Sequence, residues 1–154
     1  MPRRRRFRYN TLLRVRERQE ELKAAALVAT RQRRRAAERE RAELAAEQLA
    51  ALRAAGVKAR QRFEAAEVRR YYQYERHLAE LVDRKDADIV AVHEEEETCR
   101  AELEEATKQK RIVERLKERQ HAAMLADLNK EEQGFSDEVS LNQAAMTRMG
   151  RHRS

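Results

Sequence analysis

The sequence predicts an all-α protein, an antiparallel two-helix coiled-coil hairpin. Charged residues make up 41% of its 154 positions and aromatic residues only 5%, so a thick globular core cannot form. Disorder is the first alternative for so charged a chain. It is disfavoured because Gly (3) and Pro (1) are scarce, strong helix formers dominate, and the apolar residues recur with a helical period.

The first helix is expected to follow a basic N-terminal arm, residues 1–10. Asn10 or Thr11 can cap its start, because either side chain can accept a hydrogen bond from a free backbone amide. Gln19 and Arg33 interrupt an otherwise narrow apolar stripe. The stripe is typical of one strand of a coiled coil and runs through Leu12, Val15, Leu22, Ala26, Ala29 and Ala36.

Gly56 indicates where the chain turns back, since it is the only glycine before position 134. A lone glycine in a helical pattern either ends the helix or is tolerated at a cost of about 1 kcal/mol. We expect a turn within residues 55–65. The alternative is one continuous helix.

The second helix has the clearest pattern, in which residues alternate in steps of three and four over 14 positions, ten of them apolar. A period of 3.5 sustained this long predicts a left-handed supercoil with a partner helix. The coiled coil is expected to span 11–133, and Gly134 and Ser136 to permit a break before a frayed or partner-dependent tail, 134–154. The fourteen positions are Val68, Tyr71, Glu75, Leu78, Val82, Lys85, Ile89, Val92, Glu96, Cys99, Leu103, Ala106, Lys110 and Val113.

The charge distribution favours the hairpin. Residues 1–60 contain 18 Lys and Arg against 7 Asp and Glu, whereas residues 61–154 contain 17 against 21. Opposite charges at flanking positions favour antiparallel pairing. Folding near residue 59 is expected to set Arg14, Arg16, Arg18 and Lys23 beside Glu94–Glu97, Glu102, Glu104 and Glu105.

No catalytic or metal-binding pattern is evident, so we expect neither an enzyme nor a cofactor. Glu118 and His121 match the Glu-x-x-His spacing of di-iron bundles, but such sites need two of these motifs and further carboxylates. The single cysteine, Cys99, allows neither an internal disulfide nor a zinc finger. The longest apolar run, Ala24–Ala29, is far shorter than the ~20 residues of a membrane span, so a cytoplasmic location is expected.

Two other functions are compatible with the sequence. Arg3–Arg6, with Arg8, and Arg31–Arg35 suggest nucleic-acid binding, although no base-reading module or aromatic platform accompanies them. A homo-oligomeric structural coiled coil would share its apolar seam between chains.

Aromatic residues concentrate at one point, Tyr71–Tyr74. One stripe, with spacing i, i+4, i+7 and i+11, contains Tyr74, Leu78, Leu81 and Lys85. It either packs under the first helix or forms an exposed docking stripe, since Tyr is favoured at interfaces.

Three stretches resemble the flagellar export protein J (FliJ) family. Phe7–Glu21 is an aromatic-led opening with Leu-Arg-x-Arg-Glu. Tyr71–Leu81 resembles the aromatic and Leu start of the family's second helix. Lys110–Gln120, followed by the stretch Asp127–Asp137, resembles its Leu-Lys-Glu-Arg region and acidic tail.

The resemblance implies a stalk-like hairpin of the flagellar type III export apparatus. Family members insert into a hexameric export ATPase, promote ring assembly, contact the cytoplasmic domain of the export gate at the inner face of the membrane, and handle export chaperones. The injectisome stalk proteins are a competing assignment.

The resemblance also implies contact residues. The family's gate-contact pattern matches Tyr74, Leu78, Leu81 and Lys85, with Leu44 opposite. Two further aromatic positions of the family fall on Glu47 and Ala51. Independently of the resemblance, a rigid rod with uneven charge can enter a ring pore, and basic residues at its open end are expected to meet acidic loops of the ATPase. These residues are Arg8, Arg14, Arg16, Arg18, Lys117 and Arg119.

Overall fold

The computed structural model describes residues 2–61 and 64–152, which form two long helices packed together. Helix α1 runs from Pro2 to Arg60 and helix α2 from Ala65 to His152. Both described ranges are free of β-strands. The predicted all-α two-helix hairpin is therefore confirmed.

Helix α1 begins at Pro2, earlier than the expected caps Asn10 and Thr11. Proline suits the first helical position, because its missing N–H would have no intrahelical partner there and its φ angle is already helical. The expectation of a helix start at Asn10 or Thr11 was wrong. Whether residues 1–10 act as a separate arm stays a prediction.

The reversal lies between Arg60 and Ala65, within the expected range of 55–65. Gly56 does not cause it, since no described glycine has a positive φ and α1 continues past this position. The Gln61 N–H donates to the carbonyl of Lys58 at 3.2 Å. The carbonyl of Glu64, just before α2, accepts hydrogen bonds from the N–H groups of Glu67 and Val68 in the first turn of that helix.

Helix α2 is continuous through Gly134 and Ser136 and ends at His152. The expected break at these two residues was wrong. A single glycine costs a helix about 1 kcal/mol, and the helix-favouring residues around it offset that cost. The separate role of the tail, 134–154, stays a prediction.

Residues 18–107 form one compact unit. Within it, the covered face of α2 is the one that the sequence pattern predicts. All twelve positions of that pattern from Val68 to Ala106 are buried or half-buried. Leu78 and Val82 are the most deeply buried of them. The predicted α2 seam is confirmed.

The α1 stripe predicted from apolar residues was wrong. Leu22 is 54% exposed, and Ala26 and Ala29 are exposed as well. The covered face lies one residue further along and also follows steps of three and four. Its members in this unit are Glu20, Lys23, Leu27, Thr30, Arg34, Ala37, Arg41, Leu44, Gln48, Ala51, Ala55 and Lys58.

A second compact unit joins residues 2–17 to 108–152. In it Val113 is buried, and Leu13, Arg16 and Lys110 are half-buried, whereas Leu12 and Val15 of the expected stripe are exposed. Every residue from 125 to 151 is exposed. This stretch of α2 is not covered by any part of the chain that the structure describes.

Neither helix, over its described residues, contains a window apolar and long enough to cross a membrane.

Candidate interaction surfaces

A polar cluster occupies the middle of the seam in unit 18–107. Glu96 is only 9% exposed and accepts hydrogen bonds from two arginines of α1. Arg31 Nε donates to Glu96 Oε1 at 3.3 Å and Arg34 Nε donates to Oε2. Arg34 also donates to Glu38 at 3.0 Å. The buried carboxylate is thus paired on both oxygens, as a charge in a seam must be.

The pairing changes the acid–base properties of this cluster. Burial raises the pKa of Glu96, but hydrogen bonds and charge from Arg34, and then from Arg31, outweigh burial and hold it below its ordinary value. The hydrogen bond from Arg34 to Glu96 is the main reason why the pKa of Arg34 is raised. Both groups stay charged at neutral pH.

Thr30 and Cys99 lie next to this cluster and complete the polar middle of the seam. Thr30 Oγ1 donates to the carbonyl of Ala26 at 2.8 Å and lies 3.6 Å from Cys99 Sγ. Thr30 is buried and Cys99 is half-buried. Cys99 is therefore a seam residue.

Further ion pairs join the two helices at solvent-accessible side chains, and two of them use Lys23 and Arg41 of the covered α1 face. They connect Lys23 to Glu102 at 2.9 Å, Arg33 to Glu95 at 2.8 Å, and Arg41 to Asp86 at 2.8 Å. Residue numbers rise on α1 as they fall on α2, so the helices are antiparallel.

The partners of the acidic stretch differ from those expected. Glu102 pairs with Lys23 as expected, but Glu95 and Glu96 pair with arginines of the 31–35 cluster. Arg18 bonds Glu21 on its own helix, at 3.4 Å. The difference arises because the reversal is centred between Arg60 and Ala65, beyond residue 59. Each residue by which a turn moves shifts the facing residues by two, which brings later residues of α1 opposite the glutamates.

This pairing accounts for the second arginine cluster, Arg31–Arg35. Three of its members, Arg31, Arg33 and Arg34, have their charge offset by glutamates of α2. A cluster neutralised within its own chain offers less positive charge to a phosphate backbone. This second cluster is therefore part of the hairpin's internal pairing, whereas the side chains of Arg3–Arg6, in the first cluster, lie outside those that the structure describes.

The stripe expected at the export gate is partly covered. Tyr74 is 53% exposed, whereas Leu78 is buried. Leu81 is half-buried, as is Leu44 on α1. Lys85 is half-buried and pairs with Glu40, and the hydrogen bond to that carboxylate is the main reason why its pKa is raised. The stripe thus combines seam residues with one open aromatic anchor.

The turn end of the unit has a shallow depression beside that anchor. Lys58 Nζ lies over the Tyr71 ring, 5.8 Å from its centroid. This cation–π contact joins the end of α1 to the start of α2. Glu67, Arg70 and Tyr74 complete the lining. Lys58, Glu67 and Arg70 form no recognisable pattern in the sequence, because residues of two helices near a turn have no common spacing.

The expected ATPase contacts in the unit of 2–17 and 108–152 are mostly open. Arg8, Arg14, Lys117 and Arg119 are exposed, and Arg16 is half-buried. Arg14 and Lys117 line one depression, which also includes Asn10, Leu13 and Glu17. Arg18, the remaining expected contact, belongs to the other unit and is exposed.

Metal chemistry finds no support in the described part of the chain, where no group of three His, Cys, Asp or Glu side chains is arranged to hold an ion. Glu118 and His121 instead line a shallow depression together with Leu13, Glu114 and Lys117.

Comparison with known proteins identifies the family of the chain. Neither the curated proteins nor the solved structures include a significant match to the chain. The family model described as "Flagellar FliJ protein" matches residues 5–148, which is nearly the whole chain. The chain therefore belongs to the flagellar FliJ protein family, a family of non-catalytic components related to flagellar type III protein export.

Proposed function

We propose that this protein is a stalk-like component of the flagellar export ATPase complex. In this role it inserts into the hexameric ATPase, promotes ring assembly and connects the ring to the export gate. The family match over residues 5–148 carries the proposal. An injectisome role is less well supported, because the matching family is described as flagellar.

The gate contact is proposed to centre on Tyr74, the most accessible member of its stripe. Leu78 is buried against α1 and would support the surface from beneath. Leu81 and Leu44 form the half-buried border, and the ion pair with Glu40 restricts Lys85. An exposed tyrosine above packed leucines suits an interface, since its ring adds apolar area and its hydroxyl can pair.

Replacement of Tyr74 tests this surface with little risk to folding. We expect Tyr74→Ala to weaken binding to the gate's cytoplasmic domain by about tenfold or more, measured by calorimetry with the full chain. Tyr72→Ala is the matched control, because Tyr72 is also exposed but lies off the stripe. Equal affinities for the two variants would remove Tyr74 from the gate site.

The ATPase contact is proposed to lie on the exposed basic residues of the unit of 2–17 and 108–152. Arg14 and Lys117 are suited to meet acidic loops, since each lies on a different helix and both border one depression. Arg8, Arg16 and Arg119 would add to the positive field. The chain would bind some conformational states of the ATPase subunits more tightly than others and so favour them. ATP would be hydrolysed by the ring itself.

Charge reversal tests this contact. We expect Arg14→Glu combined with Lys117→Glu to reduce both the hexamer fraction and the turnover of the ATPase, as measured by light scattering and phosphate release. Arg39→Glu combined with Arg53→Glu is the control, because it changes charge equally at exposed positions of the other unit. If wild-type protein alters neither quantity, the stalk assignment is wrong.

Contact with export chaperones and a peripheral position at the inner face of the cell membrane complete the proposal. Through the gate contact, the chain would reach the membrane by way of a protein partner. Co-sedimentation with membranes that contain or lack the gate tests this, and equal recovery from both would contradict it.

A further inference from the structure

The last part of α2 has an apolar stripe of its own, which we call the distal stripe. It lies on positions that alternate in steps of three and four over residues 125–149, and six of its eight members are apolar. They are Leu125, Leu128, Glu132, Phe135, Val139, Asn142, Met146 and Met149. A period of 3.5 over this length is the pattern of a coiled-coil seam.

This seam is uncovered in the described structure. Phe135, Met146 and Met149 are 70%, 74% and 71% exposed, whereas Leu78 in the paired seam is 3% exposed. Water-exposed large apolar side chains in a row mark an interaction surface. The distal stripe therefore lacks a helix partner.

The charges beside the stripe constrain what that partner is. Glu131 and Glu138 each directly precede a seam residue, which is heptad position g, so both flank the same side of the seam. Glu132 lies in the seam itself. Residues 125–149 include five acidic side chains, Asp127, Glu131, Glu132, Asp137 and Glu138, against two basic ones, Lys130 and Arg148. The acidic side chains in or beside the seam are Glu131, Glu132 and Glu138. A partner with Lys or Arg at its flanking positions would neutralise them.

A second copy of this chain is a poor occupant. Parallel pairing would place two Glu132 side chains opposite each other inside the seam. Antiparallel pairing with Phe135 opposite Val139 would bring the two Glu138 side chains together. Like charges at these positions destabilise a coiled coil. An anionic membrane surface is disfavoured for the same reason.

We propose that the distal stripe docks an amphipathic helix of another protein, one with an apolar seam and Lys or Arg at its flanking positions. The apolar side chains of the stripe would pack against the apolar seam of that helix. Glu131, Glu132 and Glu138 would pair with its Lys or Arg residues. This docking does not depend on the gate or ATPase contacts proposed above, because it uses none of their residues.

Designed peptides test the proposal on the full-length chain. One peptide of about four heptads has Leu in the seam and Lys at the flanking positions, and a second has Glu at those flanks. A third keeps the Lys residues but has Ser in the seam. By fluorescence anisotropy, the first should bind about tenfold or more tightly than either of the others.

Variants of the chain test the apolar contacts and the charge pairing separately. Phe135→Ser with Met146→Ser should weaken binding of the Lys-flanked peptide about tenfold or more. Leu141→Ser is the control, because Leu141 is 70% exposed but lies off the stripe. Glu131→Lys with Glu138→Lys should reverse the preference toward the Glu-flanked peptide. All these positions are exposed, and circular dichroism checks that helicity is retained.

Several results would overturn the proposal. Equal binding of the Lys-flanked and Glu-flanked peptides would exclude electrostatic recognition. Unchanged binding by the double variant Phe135→Ser with Met146→Ser would exclude the distal stripe as the binding surface. A dimer that this variant converts to a monomer would identify a second copy as the occupant. Stripe-dependent binding to anionic vesicles, without binding to the first peptide, would identify a membrane.

Discussion

The two helices of unit 18–107 present different chemistry to the same seam. On α2, nine of the twelve covered seam positions are apolar, and they include Leu78, Val82 and Ile89. On α1, only five of twelve are apolar, and three of those are alanines. One helix thus supplies most of the apolar side-chain volume, and the other supplies small and charged side chains.

This difference separates stability from specificity. The apolar face of α2 contributes the burial, at roughly 1.5–3 kcal/mol for a fully buried Leu or Val. The charged positions of α1 determine which residues of α2 they meet, because an unpaired Glu96 in a shifted register would be costly. Arg34 and Glu96 are therefore best understood as a register-setting pair.

The largest expected effect tests where the covered face of α1 lies. Leu27 is 5% exposed and Leu22 is 54% exposed, although both are leucines of the same helix. Leu27→Ala should lower the free energy of unfolding by about 2–4 kcal/mol, and Leu22→Ala by less than about 0.5 kcal/mol. Urea denaturation followed by circular dichroism measures both. If Leu22→Ala lowered the free energy of unfolding more than Leu27→Ala, the covered face of α1 would be the apolar stripe that contains Leu22.

The next effect tests the charged middle of the seam through pH. The folded-state pKa of Glu96 lies below its ordinary value of 4.5, so its contribution to stability is present above that pH. The contribution is lost as pH falls through the lower, folded pKa. Glu96→Gln should therefore be destabilised relative to wild type at pH 7. The gap between their melting temperatures should narrow as the pH falls below about 4.5.

Glu95→Gln is the matched control for that experiment, because Glu95 pairs with Arg33 at an exposed position. A gap for Glu96→Gln that is independent of pH, or no larger than that of the control, would contradict a register-setting role for Glu96.

A smaller effect tests the continuity of α1 near the turn. Gly56 lies in the helix without a positive φ, and a Cβ added there meets nothing within 4 Å. Gly56→Ala should therefore raise the free energy of unfolding by about 0.4–1 kcal/mol. A loss of stability in thermal melts would indicate that the chain turns at Gly56.

The smallest effect concerns the exposed pairs beside the seam. A double-mutant cycle of Arg33→Ala and Glu95→Ala should give a coupling of about 0.2–1 kcal/mol that falls as salt is added. A larger coupling, insensitive to salt, would indicate that this pair is as important as the one at Glu96.

The difference between the two helices also explains why the covered face of α2 could be predicted from the sequence and that of α1 could not. The α2 seam was readable because Val, Leu and Ile recur along it. The α1 seam was not, because Arg34, Arg41 and Gln48 look like surface residues until their partners Glu96, Asp86 and Glu75 are opposite them. An apolar stripe one residue away, led by Leu22, resembled a seam more closely.

The candidate surfaces were predicted only in part for a related reason. Spacing placed Tyr74 and Leu78 on one stripe, but only packing decides that the first is exposed and the second buried. The neighbourhood of Lys58 and Tyr71 depends on the turn, whose position fixes which residues of the two helices meet.

The most direct test of the paired faces uses the single native cysteine. Thr30 Oγ1 lies 3.6 Å from Cys99 Sγ across the seam, whereas Ala29 is exposed on the adjacent face. Under mild oxidation Thr30→Cys should form an intramolecular disulfide with Cys99, and Ala29→Cys should not. Non-reducing electrophoresis and mass spectrometry distinguish the products. Cross-linking of Ala29→Cys, with none for Thr30→Cys, would contradict the covered face assigned to α1.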